Sequence, residues 1–214
     1  MSEAAGQSAP TRPAGRREQA KALKRGRILA AAQRRLASQG YEGMTMAQVA
    51  HDADVAIGTV FQYAATKPEL LMMVAADRWS DTIPALIAQA RDTDDPVEII
   101  LTLLSPLAQE SARAPEVTMA MAREILFGVD GPHRREVLAL VTRLEEAIAG
   151  VLRSHGAGAA ADTAGTAARL IVSGGLIELN RTRTGLAGGD PVEHRLRAMV
   201  ELALAGARAA PARP

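Results

Sequence analysis

TMAQVAHDADVAIGTVFQYAATKPELL, residues 45–71, is the stretch that decides the fold. Thr45, Met46, Ala47 and Gln48 form a capping box. The Thr45 hydroxyl accepts from the amide of Gln48, and the Gln48 side chain reaches back to the start of the helix. Met44 and Val49 stand at the two positions of a hydrophobic staple. Thr66, Lys67, Pro68 and Glu69 repeat the box, with proline in the first turn, where its missing N–H costs little. Between the two signals, residues 57–63 make a helix too short to be stable alone. Carrying Thr59, Gln62 and Tyr63 and followed by Lys67, such a helix fits the reader of a nucleic-acid groove.

The surrounding residues carry a family pattern. Ile28-Leu29, Ala31-Ala32, Leu36, Gly40-Tyr41 and Met44-Thr45 lead into Val49-Ala50, Ala53 and Val55. Gly58-Thr59-Val60-Phe61, Tyr63, Thr66-Lys67 and Leu70-Leu71 follow. In order and spacing, residues 27–71 resemble the DNA-binding region of the TetR family of bacterial repressors. The resemblance implies an N-terminal three-helix helix-turn-helix domain and a C-terminal helical ligand-binding and dimerisation domain. It implies that Thr45, Gly58, Thr59, Phe61 and Tyr63 face operator DNA and that Lys67 meets a phosphate. Three positions depart from the pattern. Ala56 stands where the family has serine, so the reading helix forgoes a side-chain cap worth about 1 kcal/mol. Phe61 replaces tyrosine, and Ala64 replaces phenylalanine.

Composition points the same way. Hydrophobic residues make up 48% of the 214 and aromatics only 2%, so the core is aliphatic, alanine and methionine. Apolar residues recur at helical spacing and no alternating strand run occurs, which predicts an all-α fold. There is no cysteine, which excludes disulfides, thiolate metal sites and cysteine nucleophiles. No apolar run is long enough to span a membrane, and the N-terminus lacks the apolar core of a secretion signal. A cytoplasmic location is the expectation.

Net charge is +1, but residues 1–35 hold nine basic side chains and two acidic ones. Arg16, Arg17 and Lys24 belong to this group. A basic arm beside a reading helix is the electrostatic footprint of phosphate binding. A solvated tail is the plainer alternative, and the two are compatible.

Caps and prolines punctuate the chain into about nine helices. The first runs over 17–39, with Gly40 as its stop. The fourth runs from Lys67 to about Arg91. Asp95-Pro96 and Asp190-Pro191 start the fifth and ninth, and Pro115 and Pro132 sit in the first turns of the sixth and seventh. Residues 155–161 read as a glycine-alanine loop, 163–184 as the eighth helix and 206–214 as a frayed tail. The expected division is a disordered basic arm at 1–16, a DNA-binding domain at 17–66, a ligand-binding and dimerisation domain at 67–208 and a disordered tail at 209–214.

The last two helices carry apolar stripes. On the eighth these are Ala168, Ile171, Gly175 and Leu179, and on the ninth Leu196, Met199, Val200 and Ala203. Composition leaves open whether they are intramolecular core or an interface. The resemblance implies an interface, because TetR-like proteins dimerise through these helices as a four-helix bundle. For the ligand site the candidates are Trp79, Met119, Met121, Arg123, Phe127 and Leu144, together with Glu178 and Asn180, polar groups amid apolar sequence. Core packing is the alternative for the apolar ones.

Enzyme chemistry has little support. The four histidines are scattered, none at the i, i+4 spacing of a helical metal pair, and there is no phosphate loop, dinucleotide fingerprint or nucleophile elbow. No catalytic residue, metal or cofactor is expected. The expected partners are pseudo-palindromic double-stranded operator DNA, a second copy of the chain and a small apolar organic effector. The competing class is an all-α ligand-binding or interaction protein that has lost DNA binding. The basic arm with Thr59, Tyr63 and Lys67 favours the regulator.

Overall fold

The computed structural model describes residues 15–90, 93–155, 161–186 and 188–209. Among them the chain is all-helical, with nine helices: α1 (Arg16–Gly43), α2 (Met46–Asp52), α3 (Ile57–Tyr63), α4 (Lys67–Gln89), α5 (Pro96–Arg113), α6 (Pro115–Phe127), α7 (Pro132–His155), α8 (Ala161–Arg183) and α9 (Val192–Ala209). Gly40 interrupts α1 at φ 69°, the left-handed backbone that glycine accepts without strain, and so ends its regular part where expected.

Two expectations at the termini change. Arg16 opens α1, and α9 continues through residue 209, so 206–209 are helix and not a frayed tail. The remainder of the arm, 1–14, and of the tail, 210–214, lies outside the described residues.

The Thr45 box forms in full. Thr45 Oγ1 accepts from the Gln48 amide at 3.2 Å, and Gln48 Oε1 accepts from the Thr45 amide at 2.9 Å. Met44 and Val49 are both fully buried beside it. The second box forms only by half. Thr66 Oγ1 accepts from the Glu69 amide at 3.2 Å, but the Glu69 carboxylate accepts from the amide of His133, at 2.9 Å, instead of reaching back to Thr66. Glu69 therefore caps α7, a negative charge at a helix N-terminus. Gly131 permits the approach, since a Cβ there would stand 2.4 Å from Glu69 Oε2.

Two apolar cores result. The first joins Ile28, Leu36, Val49 and Val60 of α1–α3 to Leu70–Ala76 of α4, and then to Met121 of α6 and Val137 of α7. The second is built by α5, the far half of α7, α8 and α9 around Ile100, Leu152, Ile171 and Val200. Val141 of α7 packs against both. Among the described residues, no helix is long and apolar enough to cross a membrane.

Candidate functional site

The α2–α3 turn is held from α1. Asp54 adopts φ 50°, and Arg27 donates both to its carbonyl oxygen and, at 2.8 Å, to its carboxylate. Arg35 grips Asp52 at the end of α2 with two bonds of 2.6 and 2.8 Å. With His51 also adjacent, the Arg35 guanidinium holds the Asp52 carboxyl down at about 2. At the other end of α3, the Tyr63 hydroxyl donates to the Lys21 carbonyl at 3.0 Å, bringing the exposed, basic first turns of α1 beside α3. These contacts orient the one face of α3 left open. Ile57 and Phe61 are 47% and 46% exposed there, Gly58 and Gln62 are exposed beside them, and Thr59 is half-buried. Nothing lies within 4 Å of a Cβ built on Gly58, so a surface can approach the backbone closely at that point.

Three of the residues expected to contact DNA make bonds within the chain. Thr45 uses its hydroxyl within its cap, donating to Gln48 Oε1 at 3.0 Å. The Tyr63 hydroxyl donates to the Lys21 carbonyl, so its one donor is engaged within the chain. Lys67 Nζ donates to the Glu42 carbonyl at 3.0 Å and sits 4.5 Å from the Tyr41 ring centroid, so one of its three donors is already used. The basic group shrinks likewise, because Arg25 pairs with Asp77 at 2.9 Å and Arg27 and Arg35 pair as above. Arg16, Arg17 and Lys24 remain exposed. Ala56, as expected, makes no side-chain cap on α3.

A cavity of about 790 Å³ opens between α4 and α5 and is closed by α6, α7 and α8. Its lining mixes aliphatic side chains, such as Ile83, Leu86, Leu103 and Val141, with polar ones, such as Gln89 and Gln109. Arg78 of α4 and Glu110 of α5, both in its lining, pair at 2.6 Å, and Arg113 of α5 lines it as well.

Of the expected ligand residues, Trp79, Met121 and Leu144 line this space. The others do not. Phe127 is 81% exposed at the end of α6, and Arg123 lies on the surface over the Tyr41 ring. Met119 is half-buried outside the lining. Glu178 accepts from Arg195 of α9 at 2.7 Å, so it locks α8 to α9, and Asn180, two residues on, is likewise not among the lining residues.

Sequence reasoning missed α5, which supplies much of the wall. Its signal was proline inside a helix: Pro84 in α4 and Pro106 in α5. Pro106 cannot donate to the Thr102 carbonyl. Ser105 Oγ donates to it instead, at 2.9 Å, on the cavity wall.

The expected interface stripes also turn inward. Ala168, Ile171, Leu179, Leu196 and Val200 are all buried within the chain, a Cβ built on Gly175 would stand 3.7 Å from Leu196, and Met199 and Ala203 pack against the second core. The apolar side chains left without cover on these helices are Leu170 and Ile177 on α8 and Leu202 on α9, at 66%, 60% and 75% exposure. On a helix apolar on two faces, periodicity alone does not say which face meets the chain's own core.

Residues 28–73 match the model of the bacterial regulatory proteins of the tetR family. The HTH-type transcriptional repressor KstR of Rhodococcus jostii (strain RHA1) is 31% identical over 106 residues, 49% of this chain and 48% of that one. The chain thus spans about half the length of that curated relative. Two solved structures are similar over nearly their whole length. Thermus thermophilus FadR, a TetR-family repressor in complex with lauroyl-CoA, superimposes with a TM-score of 0.66 at 25% identity, covering 89% of this chain and 99% of that one. A TetR transcriptional regulator from Rhodococcus sp. RHA1 gives a TM-score of 0.64 at 19% identity, covering 86% and 97%. The chain is TetR-like in its N-terminal helices and in its helical order, as its sequence predicts, and these relatives are transcriptional regulators.

Proposed function

We propose that the chain is a dimeric, DNA-binding transcriptional regulator: a repressor that leaves its operator when an aliphatic ligand fills the α4–α8 cavity. In this reading residues 17–66 read DNA and residues 67–208 sense the ligand and dimerise. The observation that carries it is the Tyr63–Lys21 bond, which sets the basic start of α1 beside the open face of α3. Cations that track phosphates then flank the side chains that meet base edges. Gly58, Thr59 and Phe61 are the reading residues, with Ile57 and Gln62 on the same open face. Phe61 offers apolar contact to a thymine methyl. Arg16, Arg17 and Lys24 supply phosphate contacts, and Lys67 adds a weaker one.

Dimerisation uses the outward face of α8 and α9, with Leu170, Ile177 and Leu202 as anchors. Two reading helices related by a two-fold axis call for a pseudo-palindrome with half-sites about 34–36 Å apart. The ligand is an aliphatic chain with a polar end. The walls combine aliphatic and polar side chains, the Arg78–Glu110 pair, Glu98 and Arg113 supply the charge, and the T. thermophilus relative was solved with lauroyl-CoA. Selection of bound fragments from the genome of the encoding organism tests the reading. Recovery of fragments sharing one pseudo-palindrome supports it, and recovery of no sequence above background refutes it.

A further inference from the structure

α7 touches both the cavity and the reading helix. Val141 and Leu144 line the cavity, and about 12 Å along the helix, at 1.5 Å per residue, His133 meets the end of α3. His133 Nε2 lies 2.9 Å from the Tyr63 carbonyl oxygen. A carbonyl only accepts, so the ring nitrogen donates. The ring is held on its other side by Glu136 Oε2, 3.1 Å from Nδ1, and its backbone amide is bound by Glu69. The imidazole is only 13% exposed. The Glu69 carboxylate left its own capping box to make this joint, and Gly131 clears the space for it.

We infer that His133 is a positioning residue for α3: through it α7, braced by Glu69 of α4, carries the state of the cavity to the reading helix. α4 meets α3 through the turn at residues 64–66 and through the core that Val60 shares with Leu70 and Leu71, whereas His133 holds a carbonyl of α3 itself. The inference rests on the regulatory reading above for its use, but not for its geometry. A helix of seven residues has little stability of its own, so each tertiary bond at its last residue, from His133 to the carbonyl and from the hydroxyl to Lys21, adds to how far it is formed.

The test is hydrogen exchange of the amides of residues 60–64 in the full chain, with operator affinity measured on a genome-selected fragment. His133→Leu removes the donor. It speeds exchange there about tenfold, the size of one lost hydrogen bond, and weakens operator binding by a similar factor. His133→Gln places an amide donor near the position of Nε2 and restores both to within about twofold of the parent on the same scale. Val141→Phe pushes on the cavity from α7. It changes exchange in residues 60–64 when His133 is present and leaves it unchanged in the His133→Leu background, so the two effects do not add. Unchanged exchange in His133→Leu, no rescue by His133→Gln, or simple additivity with Val141→Phe each overturns the inference. If the parent chain selects no DNA, the regulatory reading fails, and the exchange measurements still decide whether His133 holds α3.

Discussion

Around α1–α3, polar side chains are tied to one another: Arg35 to Asp52, Arg27 to Asp54, Tyr63 to Lys21, Lys67 to Glu42 and Thr45 to Gln48. Around the α4–α8 cavity the structure is hollow, two of its helices carry an interior proline, and the lining residues Glu110 and Glu98 are held in ion pairs by Arg78 and Arg197. The first region presents a preset surface with few ways to rearrange. The second has empty volume, which a ligand can fill, and helices with weakened ladders, which can bend. A chain that combines them suits a division in which one end reads a fixed shape and the other responds to occupancy. Ligand binding shifts the equilibrium between states only by its differential affinity for them, and a cavity that changes shape on filling provides such a difference.

The largest effect expected from this contrast lies at the third surface, the outward face of α8 and α9. Aspartate at both Ile177 and Leu202 leaves the protomer folded, because both side chains are exposed, but sedimentation shows monomers and operator binding disappears. Aspartate at Ala168 lowers the melting temperature of the protomer itself, since that site is fully buried. If the Ile177 and Leu202 variant sediments as a dimer, the interface lies elsewhere.

Next in size is Lys67→Ala. It removes a bond to Glu42 and a cation over Tyr41, so it costs about 1 kcal/mol of stability by thermal melting as well as operator affinity at every sequence tested. Loss of affinity with no change in melting shows Lys67 acting on phosphate alone.

The Arg35–Asp52 clasp gives a pH signature. The folded Asp52 carboxyl sits at about 2, below the ordinary value of 3.8. A depressed carboxyl contributes fully above its unfolded value, and the contribution fades as the pH falls from there through about 2. A carboxyl-carbon NMR titration should find the Asp52 midpoint near 2, and Asp52→Asn should remove this part of the acid dependence. A midpoint at the ordinary aspartate value contradicts the clasp.

The smallest effect is a gain. Ala56→Ser supplies the cap that α3 lacks and raises stability by about 0.5–1 kcal/mol in chemical denaturation. No gain would mean that the entry to α3 is already satisfied.

These regions were not equally legible in the sequence. The capping box at Thr45, the stop at Gly40 and the short α3 are local features, and local spacing determines them. Glu69 shows where that ends, because its box was legible but its carboxylate found a partner 64 residues away. Tyr63 and Lys67 were likewise placed on α3 and α4 correctly, while their polar atoms were taken by α1 and by Glu42. Trp79, Met121 and Leu144 reached the cavity, whereas Phe127 and Glu178 did not. An apolar or polar residue on a helix announces its face, but the neighbouring helix decides what that face meets. The eighth helix is the clearest case, because its two apolar faces differ only in which one the ninth covers.

The measurement closest to the central proposal is a titration of the chain onto a genome-selected fragment at graded salt concentrations, with a scrambled fragment beside it. The account predicts two chains per duplex and a linear fall of log affinity with log salt, as phosphate-bound cations are released. It also predicts a clear preference for the selected sequence. Equal affinity for the scrambled fragment, or binding that does not respond to salt, would contradict it.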